Sequence, residues 1–290
     1  MGSFAQAAHE LSTTAASVSY HVRQLEKQVG VALFLRHPHK VELTAGGQLI
    51  ANEAMNAFAA LRASFARAAD LDQSHLSLTT LPTIGTSWLT PKLNGFRAKH
   101  PDIKFELELS ADAQDLTSGR FDAAIRNGHG RWPGLRSNRL FPSIFMPLCA
   151  PALQAAARGL GDPRCSLDVP LLGRTDWWSL WYRALGVRDP PLDSIRNNLF
   201  AEYLDITQAI AGHGIAIGSP ILFKNELDAG RLVPAHDLVA SDGRGFWFTF
   251  PVSRQDSRKI VQFRDWLCGE AEGACAAAAA FIGRAHAFAS

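Results

Sequence analysis

No CxxC pair occurs in this chain. Its four cysteines, Cys149, Cys165, Cys268 and Cys275, stand 16, 103 and 7 positions apart. That spacing excludes a zinc knuckle and gives no reason to expect a disulfide framework. No apolar run approaches the roughly 20 residues needed to cross a bilayer. The longest near-continuous one is 274–282. The first residues lack the basic start and apolar stretch of a signal peptide. No charge of one sign dominates, since the formal net charge is +2, so any charged partner must be sought locally. There is no GxSxG elbow and no HExxH pair. Gly212-His213-Gly214 followed by Gly218 is one residue too long for a dinucleotide fingerprint, and it falls between a helix and a strand rather than the reverse. The ten histidines are scattered, and no internal repeat is present. These absences predict a protein without catalytic residues, metal or cofactor, unattached to membranes, in a reducing cytoplasm.

What is present is ordinary globular composition, 47% hydrophobic and 19% charged, which excludes disorder and fibres as overall descriptions. A length of 290 residues suggests about two domains. Near the start, Phe4, Ala7, Ala8 and Leu11 make a short helical stripe. After a break at Ser12-Thr13, Thr14 is an N-cap candidate, and Val18, Val22, Leu25 and Val29 form a second stripe that Gly30 ends. Two short helices joined tightly fit a helix-turn-helix. Residues 34–43 read as a hairpin, or wing. From Ala45 to about Leu71, Ile50, Ala54, Phe58, Leu61, Phe65 and Ala68 recur at helical spacing. This long helix either packs on its own domain or pairs with the same helix of a second chain. After a linker at 72–75, strands alternate with helices to about residue 272. That pattern predicts an α/β architecture with mostly parallel sheets, long enough for two lobes. Here 103–109, 121–125, 144–149, 215–217 and 246–251 are strands, and 88–99, 176–185, 203–211, 222–229 and 257–272 are helices. The alanine-rich tail from Gly273 is assigned no function.

The face of the second helix opposite its apolar stripe carries Ala16, Tyr20, Arg23 and Lys27, with Ser17 and Ser19 beside them. Small residues at a helix start allow close approach to a major groove. Hydroxyls and guanidinium groups then reach base edges or phosphates. Arg36, His37, His39 and Lys40 of the wing are placed to hold the adjoining DNA backbone. The plainer alternative is that Arg23 and Lys27 form a solvated face paired with Glu26 or another acid.

The run Thr14-Ala15-Ala16-Ser17-Val18-Ser19-Tyr20-His21-Val22-Arg23-Gln24-Leu25-Glu26, with Gly30-Val31-Ala32-Leu33-Phe34 and Leu43-Thr44-Ala45-Gly46-Gly47 at their spacings, closely resembles the winged helix-turn-helix of LysR-type transcriptional regulators. The resemblance extends to about residue 270 through Trp88-Leu89-Thr90-Pro91, Asp122-Ala123-Ala124-Ile125-Arg126, Trp132-Pro133-Gly134-Leu135 and the Gly212–Gly218 stretch. Residues 126–135 look most like the glycine-cleavage activators and β-lactamase regulators. The resemblance implies a winged helix-turn-helix at 1–44 and a linker and dimerisation helix at 45–72. It implies a two-lobed, periplasmic-binding-protein-like α/β effector domain at 75–272, followed by the tail at 273–290. It further implies promoter DNA and a small-molecule effector as partners, in a homodimer or homotetramer. Family members usually carry one more helix ahead of Gly2-Ser3-Phe4, so the expectation is either a start further upstream or a truncated regulator. Residues 1–74 carry six Lys/Arg and six Asp/Glu, and affinity for DNA leans on phosphate neutralisation, so the head alone is expected to bind weakly. The alternative is a protein that binds ligand and dimerises without reading DNA.

In an α/β lobe a ligand usually sits at the carboxyl ends of strands and at helix starts. Three segments qualify: Pro82-Thr83-Ile84-Gly85-Thr86, Ser110-Ala111-Asp112 and Glu202-Tyr203-Leu204. Hydroxyls and N–H groups there suit a carboxylate, and Arg126, just after a strand, supplies a cation. Thr83, Ile84, Ser110, Arg126, Trp132 and Tyr203 are therefore the candidate effector contacts. Trp177, Trp178 and Trp181 read as core rather than cleft.

Overall fold

The computed structural model describes residues 4–37, 40–69, 74–162, 169–187, 190, 192, 195–197, 199 and 201–287. It divides into two compact units, Met1–Phe65 and Ala66–Ser290.

In the first unit, α1 (Phe4–Glu10) leads into α2 (Ala15–Val29). Thr14 caps α2 by accepting a hydrogen bond at Oγ1 from the Ser17 N–H at 3.1 Å, and Gly30 ends it at φ 79°. β1 (Phe34–His37) and β2 (Lys40–Leu43) form the expected antiparallel hairpin, Phe34 opposite Leu43 and His37 opposite Lys40. Glu26 anchors the hairpin to α2 by accepting from the Leu33 and Phe34 N–H groups at 2.9 and 3.1 Å. Thr44 then caps α3 (Ala45–Ala69), accepting from the Gly47 N–H at 2.9 Å and donating to the Ala32 carbonyl at 2.9 Å. A Cβ on Gly47 would lie 2.0 Å from the Leu33 carbonyl oxygen, so only glycine fits there.

The apolar stripe of α2 is covered less than its spacing predicts. Val18 and Val22 are half-buried, but Leu25 and Val29 remain 41% and 42% exposed. The reason is length. The seven residues of α1 span about 10 Å against about 22 Å for the fifteen of α2, so α1 cannot cover the whole stripe.

The second unit is built on one ten-stranded sheet. β3 (His75–Thr80) pairs in parallel with β4 (Lys104–Leu109) and β5 (Ala123–Gly128). Between β3 and β4, α4 (Pro82–Ile84) runs through a π turn, Gly85–Leu89, and a 3-10 turn, Thr90–Lys92, into α5 (Leu93–Lys99). The helical run starts six residues before the expected Trp88, because Pro82 at the first helical position has no N–H to leave unbonded. Pro91 explains the irregular turns inside it.

β6 (Leu135–Cys149) is far longer than the expected 144–149. It is followed by β7 (Leu171–Leu172), α6 (Thr175–Ala184), β8 (Ile195–Asn197), α7 (Glu202–Ile210), β9 (Ile215–Gly218), α8 (Lys224–Asp228), β10 (Val233–Pro234) and β11 (Val239–Pro251). β11 and β6 pair antiparallel at the centre, and β5, β9 and β10 pair antiparallel to them. The expectation of mostly parallel sheets is therefore corrected to a mixed sheet. The two long strands, rather than loops, carry the chain through both lobes, and consecutive passes in opposite directions are antiparallel. One lobe is β4-β3-β5 with the near ends of β11 and β6; the other is β9-β7-β8 with their far ends.

α9 (Arg258–Ala277) does not stop at Glu272 but continues through the alanine-rich stretch into α10 (Ala279–Ile282). β12 (Ala285–Ala287) then pairs in parallel with β11 at 239–241. Alanine's high helix propensity carries the helix past Gly273, and Ala271 and Ala278 are buried in the main core. A charged cluster lies under this sheet. Asp122 accepts from the Ser77 N–H at 2.8 Å, meets Lys259 Nζ at 3.0 Å and pairs with Arg254 Nη1, all three side chains being almost wholly buried. Lys259 also donates to the His75 carbonyl at 2.8 Å. Trp178 and Trp181 lie in the core of the second lobe, as expected, donating to the Leu172 and Leu238 carbonyls at 2.8 and 3.0 Å.

Candidate functional site: effector cleft and DNA-contact helix

A cavity of about 420 Å³ opens between the two lobes. Its first wall is the β3-to-α4 turn, with Leu81, Thr83 and Ile84. Its second is the start of α6 and α7, with Arg174, Asp176, Trp177 and Glu202. Its floor comes from the crossing strands. Between Ser241 and Gly245 the register against β6 slips, so that 242–244 bulge out of β11. A bulge re-aims side chains, and this one brings Asp242 and Arg244 to the cleft. The bulge is held by Ser241 Oγ, which donates to the Ser143 carbonyl at 3.1 Å and accepts from the Gly243 N–H at 3.2 Å.

The cleft is polar but internally balanced. Arg174 forms a forked pair with Asp176, with one N–O distance of 3.0 Å, and that hydrogen bond holds Asp176 below the usual carboxylate range. Arg244 lies 3.8 Å from Asp242. Glu202 differs. Its Oε1 accepts from the Ser219 N–H at 2.7 Å, yet burial pushes its pKa up to about 8. Asp205 one turn on reinforces that shift, and Arg174 opposes it. Asp205 is itself pushed up to about 6 by burial. An aromatic wall completes the cleft: Trp177 stacks on Phe145 with ring centroids 5.6 Å apart.

Of the candidate contacts, Thr83 and Ile84 line this cleft. Tyr203 reaches it through its backbone: its N–H donates to Thr83 Oγ1 at 3.3 Å, linking the lobes, while the residue lines a separate surface hollow with Thr86 and Pro91. Ser110, Arg126 and Trp132 come together elsewhere, around an adjoining cavity of about 140 Å³ at the carboxyl ends of β3, β4 and β5. Trp177, expected in the core, lines the cleft. Sequence reasoning missed Arg174, Ser143, Ser219, Asp242 and Arg244. The Gly243 and Gly245 pair inside a strand pattern was the available signal for the bulge. Glu202 belongs to the candidate segment 202–204, of which the sequence points to Tyr203.

On α2, Ala16, Tyr20, Arg23 and Lys27 are exposed, as is the capping Thr14, while Ser17 and Ser19 are half-buried. Neither Arg23 nor Lys27 makes a hydrogen bond or ion pair with a described residue, whereas Glu26 is engaged with backbone N–H groups. Arg36, His37 and Lys40 occupy the hairpin strands. Their side chains, and the whole of His39, lie outside the described residues.

A winged helix-turn-helix followed by a two-lobed sheet around a polar cleft defines a class, the DNA-binding proteins that answer to a small molecule. The family model for the LysR substrate binding domain matches residues 69–271, and that for the bacterial regulatory helix-turn-helix protein, lysR family, matches residues 1–48. The chain belongs to the LysR family of transcriptional regulators. It is 31% identical to the glycine cleavage system transcriptional activator of Escherichia coli strain K12, over 93% of this chain and 89% of that one. It is 33% identical to the HTH-type transcriptional regulator y4mQ of Sinorhizobium fredii, over 94% and 92%. The effector domain of the transcriptional regulator AmpR of Pseudomonas aeruginosa is similar in structure, with a TM-score of 0.58 and 28% identity over 73% of this chain and 98% of that one. The protein is thus a transcriptional regulator with a helix-turn-helix head and an effector-binding domain, in a family of regulators rather than enzymes. Among the described residues no helix is long and apolar enough to cross a membrane.

Proposed function

We propose that the chain controls transcription in the cytoplasm as a homodimer or homotetramer, reading promoter DNA with α2 and answering to a carboxylate-bearing small molecule. Thr14, Ala16, Ser17, Ser19, Tyr20, Arg23 and Lys27 form the groove-facing surface, and Arg36, His37 and Lys40 hold the flanking backbone. α3 pairs with its counterpart in a second chain through the face that includes Phe58 and Leu61, which are 60% and 48% exposed. The effector lies against Thr83 and Ile84, with Tyr203 contributing through the N–H it gives to Thr83, and extends toward Ser110, Arg126 and Trp132. It acts by binding one arrangement of the lobes better than another, the only way a ligand shifts such an equilibrium.

The observation that carries the DNA-reading proposal is the pair of exposed cations on α2, Arg23 and Lys27, which have no acidic partner among the described residues although Glu26 lies on the same helix. Fluorescence anisotropy on the DNA upstream of this protein's own coding region tests it. The parent should bind that DNA in preference to a scrambled duplex. Arg23→Ala should weaken specific binding by about 1–3 kcal/mol. Equal affinity of parent and variant, or no preference over scrambled DNA, would overturn the assignment and favour a ligand-binding protein that does not read DNA.

A further inference from the structure

The cavity beside the cleft has a composition of its own. It is closed by Trp132, whose ring lies across Gly128, where a Cβ would meet the indole at 2.9 Å. Its cation is Arg126, in the second half of β5 rather than just after a strand as the sequence suggests. Arg126 donates to the Gln114 carbonyl and makes no other hydrogen bond with a described residue. None of its nitrogens is both buried and without a hydrogen-bond partner, and the residue lines the cavity. Burial draws its pKa below the ordinary arginine range, with Asp115 opposing. The charge is partly desolvated and only partly satisfied. Asp115 is already committed as a cap, accepting from the Thr117 N–H at 2.8 Å. Asp112, also at the rim, is exposed to water. Asn127, Leu81 and Ala111 line this cavity and the cleft alike, and the Asn127 amide makes no side-chain hydrogen bond with a described residue.

We infer that the side cavity is an anion subsite, in which Arg126 and Asn127 hold the carboxylate of an elongated effector whose apolar body runs past Leu81 into the cleft. The inference rests on the proposed effector site and divides it into two compartments. A planar carboxylate suits the forked donors of a guanidinium. The volume of about 140 Å³ admits that group and a few carbons but not the whole of a larger ligand. Leu81, Ile84, Phe145, Trp177, Leu180 and Phe246 give the tail an apolar path. Such a site rejects short anions for want of tail contacts and neutral analogues for want of a partner for Arg126.

The test uses the full chain and the straight-chain series from acetate to hexanoate, each beside its primary amide, with affinity read from tryptophan fluorescence in carboxylate-free buffer. Each added methylene should tighten binding by about fourfold, and each acid should bind at least about tenfold more tightly than its amide. Arg126→Met should erase the preference for acid over amide and leave the chain-length dependence. Asn127→Ala, a milder change that keeps the cation, should shrink the preference severalfold. If acid and amide bind alike but both tighten with length, the cleft stands and the anion subsite falls. If neither charge nor length matters, both fall. An acid preference that survives Arg126→Met in a variant melting like the parent also overturns the assignment.

Discussion

Glu202 makes the stability of the effector-binding unit fall as pH rises. An unfolded chain ionises this carboxyl near 4.5, whereas the folded protein holds the proton to about 8. The folded state therefore carries no penalty below about pH 4.5, loses stability progressively between 4.5 and 8, and loses no more above that. At about 1.4 kcal/mol per unit the full difference approaches 5 kcal/mol. Glu202 stands on the wall of the open cleft, where relaxation and water penetration reduce the difference to about 2 kcal/mol. Glu202→Gln keeps an oxygen for the Ser219 N–H and cannot ionise. It should raise the melting temperature of the Ala66–Ser290 unit by roughly 5 °C at pH 8.5, where a domain of this size shifts about 2–4 °C per kcal/mol. At pH 5.5, where only the first part of the penalty has developed, the gain should be no more than about 2 °C. Differential scanning calorimetry of the full chain at the two pH values measures both. An equal gain at the two, or a loss at pH 8.5, would refute the burial argument for Glu202.

Two further outcomes follow from packing. Asp122→Ala leaves Arg254 and Lys259 buried without their shared carboxylate, and should cost about 3–5 kcal/mol by denaturant unfolding of the effector unit. A cost below 1 kcal/mol would show that water reaches the cluster. Gly47→Val drives a side chain into the Leu33 carbonyl, so it should abolish DNA binding while the calorimetric transition of the effector unit stays in place. Retained binding would mean that the turn between β2 and α3 relaxes without disturbing α2.

What was legible in the sequence is what depends on neighbours along the chain. The Thr14 cap, the Gly30 stop, the wing and the long α3 are local patterns, and the structure forms each of them. The helix start at Pro82 falls in a segment, 82–86, that reads as a turn after the first strand, because Pro82 and Gly85 punctuate it like a loop. β6 was cut short because Arg136, Asn138, Arg139 and Pro142 do not alternate like a half-buried strand; their environment is set by β11, more than ninety residues away in sequence. The residues lining the cleft divide the same way. Thr83 and Ile84 follow directly from a strand-to-helix turn, whereas Asp242 and Arg244 reach the cleft only because a register slip between distant strands turns them there.

That slip also sets how the two lobes can move. β6 and β11 pass through both lobes without a flexible connector, so the lobes are coupled like the ends of a bent ribbon rather than swung on a joint. The ribbon is thinnest at one level. Flanking the 242–244 bulge, Pro142, which brings no N–H to the ladder, pairs in register with Gly245. Between Ser241 and Gly245 the ladder is interrupted, so bending there has fewer inter-strand hydrogen bonds to disturb than in a regular stretch. Any relative motion of the lobes would therefore centre beside the cleft floor, with its amplitude limited by the strain that two continuous strands tolerate.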